Sequence, residues 1–597
     1  MATERPDLRD FLEARTATPA GFSGDGRHAY ISSNLPGTSQ LYRMPTAGGQ
    51  LEQLTDLAEP VGAMPIPESD SVLLQIDTGG NERHQIFLLE GPGVEPKALI
   101  DEPDYIHWLG SVRRDGRAFS YQCNRRNGTD FDVYVYDLDS GEDRCVMDMG
   151  GWCSPASFSP DGHWLSVIRN TERNMDADLY LVELTSGDVM HVNPHDDDAS
   201  VTGPSWLPDS TGFYFSTNEG REFNAVAKYS VADRGWKFVL EDEWGVSVSL
   251  DRTGLRALAS SNVDGFSRLA IVDPDTLATT RQLDLPEPGV VTSATFSPDG
   301  SKLAVGFSSA NIPGDSWLFD TATGASQRLT NSPNPVEGRA MTEPELVRFT
   351  SFDGLSVPAF VYRPAKGTAP APVVVQIHGG PEGQSLPAWD PIKQYLVARG
   401  YAVISPNVRG STGYGRTYHH LDDVRLRLNS VRDLEALHDW IGADPGLDAS
   451  RAALYGGSYG GFMVLAGLTF QPERWAAAID IVGISSFVTF LENTSPWRRQ
   501  FREREYGSLE HDREFLHEIS PLTHIDQLRA PLFIIHGAND PRVPLSEAEQ
   551  IARILEQKGI RHELAVYGDE GHGLAKLANR LDAYPRAVDF LDEVLSV

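Results

Sequence analysis

Cysteine is scarce in this chain: 597 residues hold only Cys123, Cys145 and Cys153. Three thiols cannot all pair, and these have no metal-ligand spacing, which argues against a disulfide framework and a thiolate metal centre. They read as buried free thiols. Long apolar runs are also absent, and nothing approaches the ~18 consecutive apolar residues of a membrane-crossing helix. The opening stretch, Met1 to Gly21, mixes both charge signs and lacks the apolar core of a secretory leader. A soluble, cytoplasmic protein with no membrane partner is the expectation. Basic residues are outnumbered 51 to 84, for a net charge of -33. So acidic a chain repels nucleic acid. Its field serves solubility, and would favour cationic substrates such as peptides with free amino termini.

The chain is too long for one core, so two or more domains are expected. Residues 1–19 read as a short N-terminal segment with a helix around Asp7, Phe11 and Leu12. From 20 to 335 a pattern repeats. Clear copies begin at Gly21 (GFSGDGRHAYISSN), Ser111, Ser157, Ser205 and Thr295, each a turn followed by alternating residues. Their aspartates, Asp25, Asp115, Asp161, Asp209 and Asp299, are spaced 90, 46, 48 and 90 residues apart. The double gaps call for two weaker copies, and these begin at Met64 and Ser249. Seven units of about 45 residues with hairpin turns predict an all-β seven-bladed propeller.

The pattern stops between Pro333 and Pro344, which suggests a hinge or linker. From 340 to 597, short apolar strands such as Val373–Ile377 and Tyr401–Ile404 alternate with helical stretches such as Val431–Ile441 and Leu545–Gln557. This alternation predicts a largely parallel sheet covered on both faces, an α/β domain.

Within it, Tyr455-Gly456-Gly457-Ser458-Tyr459-Gly460-Gly461 stands between an apolar strand and an apolar helix. A serine in G-x-S-x-G at such a junction is the nucleophile elbow of an α/β-hydrolase. The chemistry then requires an acid and a histidine later in the chain, each beyond a strand end. Asp540 follows the strand Pro531–Ile535, and His572 follows Glu563–Tyr567. In this arrangement His572 relays the serine proton and Asp540 holds the imidazole in place. His536 and His378, beside other strand ends, are weaker candidates for the base. Two oxyanion donors are expected: the backbone N–H of Tyr459 and, from the loop His378-Gly379-Gly380-Pro381, that of Gly380. No cofactor and no metal are called for.

The motifs HGGP at His378, PNVRGSTGYG at Pro406, GGSYGG at Gly456, GANDPRVP at Gly537 and DEGHG at Asp569, behind a propeller, resemble the prolyl oligopeptidase family. The similarity is to its acylaminoacyl-peptidase branch, with its bacterial aminopeptidases and dipeptidyl peptidases. The resemblance implies a serine peptidase whose cavity between domains admits short peptides, with the triad on Ser458, Asp540 and His572. It also implies that Arg542 binds a peptide carbonyl; as a bare sequence feature Arg542 fits a surface ion pair equally well. Related dipeptidyl peptidases hold the substrate amine with paired glutamates, for which no matching pair is found. Glu82 is a candidate amine anchor, with a solvated hairpin tip as the alternative. The segment from Phe487 to Arg499 offers Trp497, Arg498 and Arg499, which would line the substrate pocket or simply pack a cap. The oligomeric state stays open, a homo-oligomer included. Two other functions fit the same residues: an esterase or amidase acting on non-peptide acyl groups, and a propeller binding module with an inactive hydrolase.

Overall fold

The computed structural model describes residues 6–365 and 370–597. Between Ala17 and Arg328 it forms seven four-stranded antiparallel sheets, each built from four consecutive strands. They span 17–53, 62–100, 107–147, 152–191, 201–240, 246–283 and 290–328 and are the blades of a propeller. The repeated S-x-D-G signal makes the turn between the first two strands of a blade. In blade four Asp161 accepts hydrogen bonds from Ser159 Oγ (2.6 Å) and His163 N (3.1 Å), and in blade seven Asp299 does the same with Ser297 Oγ (2.6 Å) and Ser301 N (3.0 Å). The side chain thus does part of what the ladder would do, and the following glycine takes the left-handed backbone the turn needs.

Apolar residues on both faces of a blade pack against its neighbours. One cluster joins Val133 and Val135 of blade three to Leu165 and Val167 of blade four, and another closes the ring by joining Ile31 and Tyr42 of blade one to Ala304 and Leu318 of blade seven. Among the described residues no strand is exchanged across this closure. Side chains tie it instead: Ser316 Oγ donates to Ala17 O (3.0 Å) and Ser293 Oγ to Pro19 O (3.1 Å).

The second domain holds an eight-stranded sheet. Its order is Glu345–Thr350, Ser356–Tyr362, Ala402–Pro406, Ala371–Ile377, Leu447–Gly457, Ala477–Ile481, Leu532–Gly537, His562–Tyr567. The first two junctions are antiparallel and the rest parallel. Helices cover both faces, which explains why strands such as Val373-Val374-Val375 read as unbroken apolar runs. The α/β-hydrolase arrangement follows.

The expected N-terminal helix is present as Leu8–Leu12, and Leu8, Phe11 and Leu12 are buried in the hydrolase core beside Leu396 and Leu591, with Phe11 edge-on to Tyr395 at 5.6 Å. Its apolar face finds its partner almost 400 residues away. Cys145 is exposed rather than buried, because it lies on the outer strand of blade three. Cys123 and Cys153 are buried and free, and burial raises their thiols to about 11 and about 12. Among the described residues no helix is long and apolar enough to cross a membrane.

The domains meet through several elements. Asn539 Nδ2 donates to Gly79 O of blade two (2.9 Å). Asn174, in a blade-four loop, donates to Asp423 Oδ1 (3.0 Å) and to Glu505. Thr417 Oγ1 donates to Glu222 of blade five (2.6 Å).

Candidate active site

The strand Leu447–Gly457 ends one residue before Ser458, and the helix Tyr459–Phe470 begins one residue after it. Ser458 is left in a strained conformation, φ 59° and ψ -119°, that an L-residue adopts only when its surroundings impose it. The tightness of the turn explains its glycines. A Cβ on Gly456 would lie 2.4 Å from Gly460 O, and one on Gly460 2.3 Å from Ile377 O. Ser458 N–H donates to Ile481 O at 2.8 Å, which ties the elbow to the neighbouring strand.

His572 Nε2 lies 2.9 Å from Ser458 Oγ, and its Nδ1 lies 2.7 Å from Asp540 Oδ2. The structure thus brings together three residues 114 and 32 positions apart in the chain. The other Asp540 oxygen accepts the N–H groups of Arg542 (2.8 Å) and Val543 (3.0 Å). Burial works against charge on Asp540, but these bonds and the imidazole outweigh it, and the carboxyl stays below its ordinary range. The His572 loop is pinned by buried Glu570, which accepts from Ala575 N and Lys576 N at 2.9 Å each. The two weaker candidates for the base are otherwise engaged. His378 bonds Ser411 Oγ (2.8 Å) and Gly379 O (2.9 Å), and His536 Nε2 donates to Val543 O (2.9 Å).

The loop after Ala371–Ile377 lies against the serine, with its closest approach at Gly379, where a Cβ would be 3.3 Å from Ser458 Cβ. Gly380 has φ +136°, and its carbonyl accepts from Arg502 (3.2 Å). Arg502 also grips Glu382 through two hydrogen bonds of 2.8 and 3.0 Å. The Tyr459 side chain is fixed underneath by Ser430 (2.8 Å) and Arg427 (3.0 Å), which anchors the first turn of the elbow helix.

The remaining sequence candidates are redistributed. Arg542 Nε pairs with Glu82 Oε1 at 2.5 Å. Glu82 is therefore no solvated hairpin tip: its side chain is 13% exposed, and the hairpin is pressed onto the His572 loop. A Cβ on Gly80 would stand 2.5 Å from Gly571 N, so the Gly79-Gly80 pair was the sequence signal of this close approach. Trp497, on the helix Pro496–Tyr506, is buried against the propeller. It inserts edge-on against Trp108, Phe131 and Trp152 of the propeller, with ring centres 5.4 to 5.7 Å apart. Arg499 is a surface ion pair with Glu503 (3.3 Å) and does not join the site. Arg498 does join it, half-buried among Arg502, Arg542 and Glu82.

Sequence reasoning missed Arg502 and Glu382. The helical spacing of Arg498 and Arg502, four residues apart on one face, was the available signal for the first. Among the described residues two groups have ligand atoms close enough to share an ion: Glu102 with His107 and Cys123, and Asp422 with Asp423 and Glu505. Both are already engaged, the first by a Glu102–His107 bond of 3.1 Å and the second by Arg427, which binds Asp422 and Glu505.

Residues 388–597 match the sequence profile described as prolyl oligopeptidase family, and residues 63–332 match that of the N-terminal β-propeller domain of prolyl oligopeptidase. Dipeptidyl aminopeptidase BIII of Pseudoxanthomonas mexicana is 29% identical over 86% of this chain and 77% of its own. Acylamino-acid-releasing enzyme 1 of Oryza sativa subsp. japonica is 27% identical over 39% of this chain and 31% of its own. The solved structure of a puromycin-hydrolyzing peptidase of Mycobacterium tuberculosis superposes with a TM-score of 0.87 over 99% of this chain and 96% of that one, at 22% identity. That last likeness speaks to fold alone.

Proposed function

Because this chain belongs to the prolyl oligopeptidase family of serine peptidases, we propose that it removes short acyl units from peptides with a free amino end, through an acyl-enzyme on Ser458. The observation that carries this reading is the position of His572, bonded on one side to Ser458 Oγ and on the other to Asp540. As Ser458 Oγ attacks the peptide carbonyl, His572 Nε2 takes its proton, and Asp540 stabilises the imidazolium. The carbonyl oxygen, now negative, is received by the N–H groups of Tyr459 and Gly380. The C–N bond then breaks, the amine leaves with the proton from His572, and water repeats the sequence to free the acid.

Glu82 takes the substrate's ammonium in this reading. One of its oxygens is held by Arg542, while Oε2 is sealed from solvent with no hydrogen-bond partner among the described residues. A buried, unpaired carboxylate oxygen next to the serine's loops suits a cation brought by the substrate. Arg542 remains available to the peptide carbonyl through the rest of its guanidinium. We place the protein in the cytoplasm, where three unpaired thiols persist.

The test is a panel of dipeptidyl anilides with free and acetylated ends beside simple esters. Free-ended anilides should be cleaved best. Turnover of esters with no amide cleavage would contradict the peptidase reading, and preference for acetylated ends would contradict the role of Glu82.

A further inference from the structure

Three guanidiniums, those of Arg498, Arg502 and Arg542, lie near one another around the loops of the candidate site, but only two have an anion. Arg542 pairs with Glu82, and Arg502 pairs with Glu382. Arg498 lies between them, four residues before Arg502 on the same helix face. No carboxylate among the described residues stands within 4.0 Å of its guanidinium, and its Nε is shielded from solvent without a hydrogen-bond partner. This happens in a chain with 84 acidic residues against 51 basic ones, where an anion would be easy to supply. The missing partner has a cost: burial first, and then Arg502 and Arg542, push Arg498 down to about 10. Its guanidinium lies over the Trp497 ring, 5.2 Å from the centroid, a contact that stabilises the cation without supplying an anion.

We propose that Arg498 is a specificity residue that receives a carboxylate on the acyl side of the cleaved bond, so that the enzyme prefers peptides with Asp or Glu within the released unit. The inference rests on the peptidase reading above. Its logic is that of complementary vacancies. Glu82 Oε2 is a sealed acceptor without a donor, and Arg498 is a shielded donor without an acceptor. An acyl unit with a free ammonium at one end and an acidic side chain satisfies both. A guanidinium left unpaired when the substrate lacks that carboxylate penalises neutral isosteres, which is the way polar sites discriminate most strongly. The overall acidity of the chain does not forbid this, because charges more than about 8 Å apart are largely screened at physiological ionic strength.

The experiment compares isosteric pairs on the intact protein: free-ended dipeptidyl anilides carrying Glu or Gln, and Asp or Asn, at the first or the second position. The expected result is a kcat/KM ratio of about 10-fold or more for Glu over Gln at one of the two positions, which identifies the residue that Arg498 reads. Arg498→Met should abolish the ratio, and Arg498→Lys should keep part of it. Equal turnover of the isosteres, or an unchanged ratio in Arg498→Met, overturns the proposal. Should no anilide be cleaved, the peptidase reading itself fails. Calorimetric binding of Ala-Glu and Ala-Gln to the Ser458→Ala protein then decides separately: tighter binding of Ala-Glu, lost with Arg498→Met, supports the anion site, and equal binding overturns it.

Discussion

Glu82 Oε1 lies 2.5 Å from Arg542 Nε, so a carboxylate carried by the second propeller blade is bound to a guanidinium two residues beyond Asp540. The propeller thereby reaches a side chain into the candidate site. If Glu82 also holds the substrate amine, Glu82→Gln should lower kcat/KM on free-ended peptides by on the order of 30-fold and leave acetylated ones much less affected. An equal loss on both would mean that Glu82 serves only to orient Arg542.

Asp540 is separable from the nucleophile. Asp540→Asn keeps the shape of the site but withdraws the charge facing the imidazole, and the loss in kcat should be on the order of 10,000-fold, with KM little changed. Kinetics at matched substrate concentrations check this, and a loss below about tenfold would mean that His572 does not depend on Asp540 for its orientation or its charge.

Trp497 acts as a wedge between domains, its ring edge-on to three propeller aromatics. Trp497→Ala removes that contact and should cost about 3 kcal/mol or more of stability. Denaturant melting reads the loss, and limited proteolysis should show earlier cleavage in the link between Pro333 and Pro344. A melting curve like that of the wild type would show the wedge to be dispensable.

Asp422 and Glu505 compete for one guanidinium, that of Arg427. Burial raises both carboxyls, Glu505 to about 7, with Arg427 opposing the rise. Because the folded state holds this proton more tightly than the unfolded chain, the associated stability is fully present below the ordinary carboxylate value of about 4.5. It is lost as pH rises through the folded value. The stability of the wild type relative to Asp422→Asn should therefore fall from about pH 5 to about pH 8. A difference that is flat or grows with pH contradicts the raised carboxyls.

Local features carried most of what the sequence disclosed. The S-x-D-G turns are self-contained, with Ser159 and Asp161 making their bonds within five residues, so the seven blades could be counted from spacing alone. Ser458, Asp540 and His572 stood out because each follows its own apolar strand, a short-range pattern. Relations across the domain boundary were not legible. Nothing near Leu8–Leu12 indicates that Phe11 packs on Tyr395, and nothing near Trp497 indicates Trp108 or Trp152. Glu82 was read as a choice between solvent and substrate, but its fixed partner is a residue 460 positions away. Arg498 and Arg499 are adjacent and chemically identical, and only folding separates a surface ion pair from an unpaired cation in the site.

The most direct measurement is the hydrolysis of a free-ended dipeptidyl anilide by the wild type and by Ser458→Ala, both shown to be folded by their melting curves. A loss on the order of a millionfold, with an unchanged melting temperature, is the predicted result. Amide cleavage that survives the substitution would contradict the assignment of Ser458 as the nucleophile, and with it the catalytic roles of His572 and Asp540.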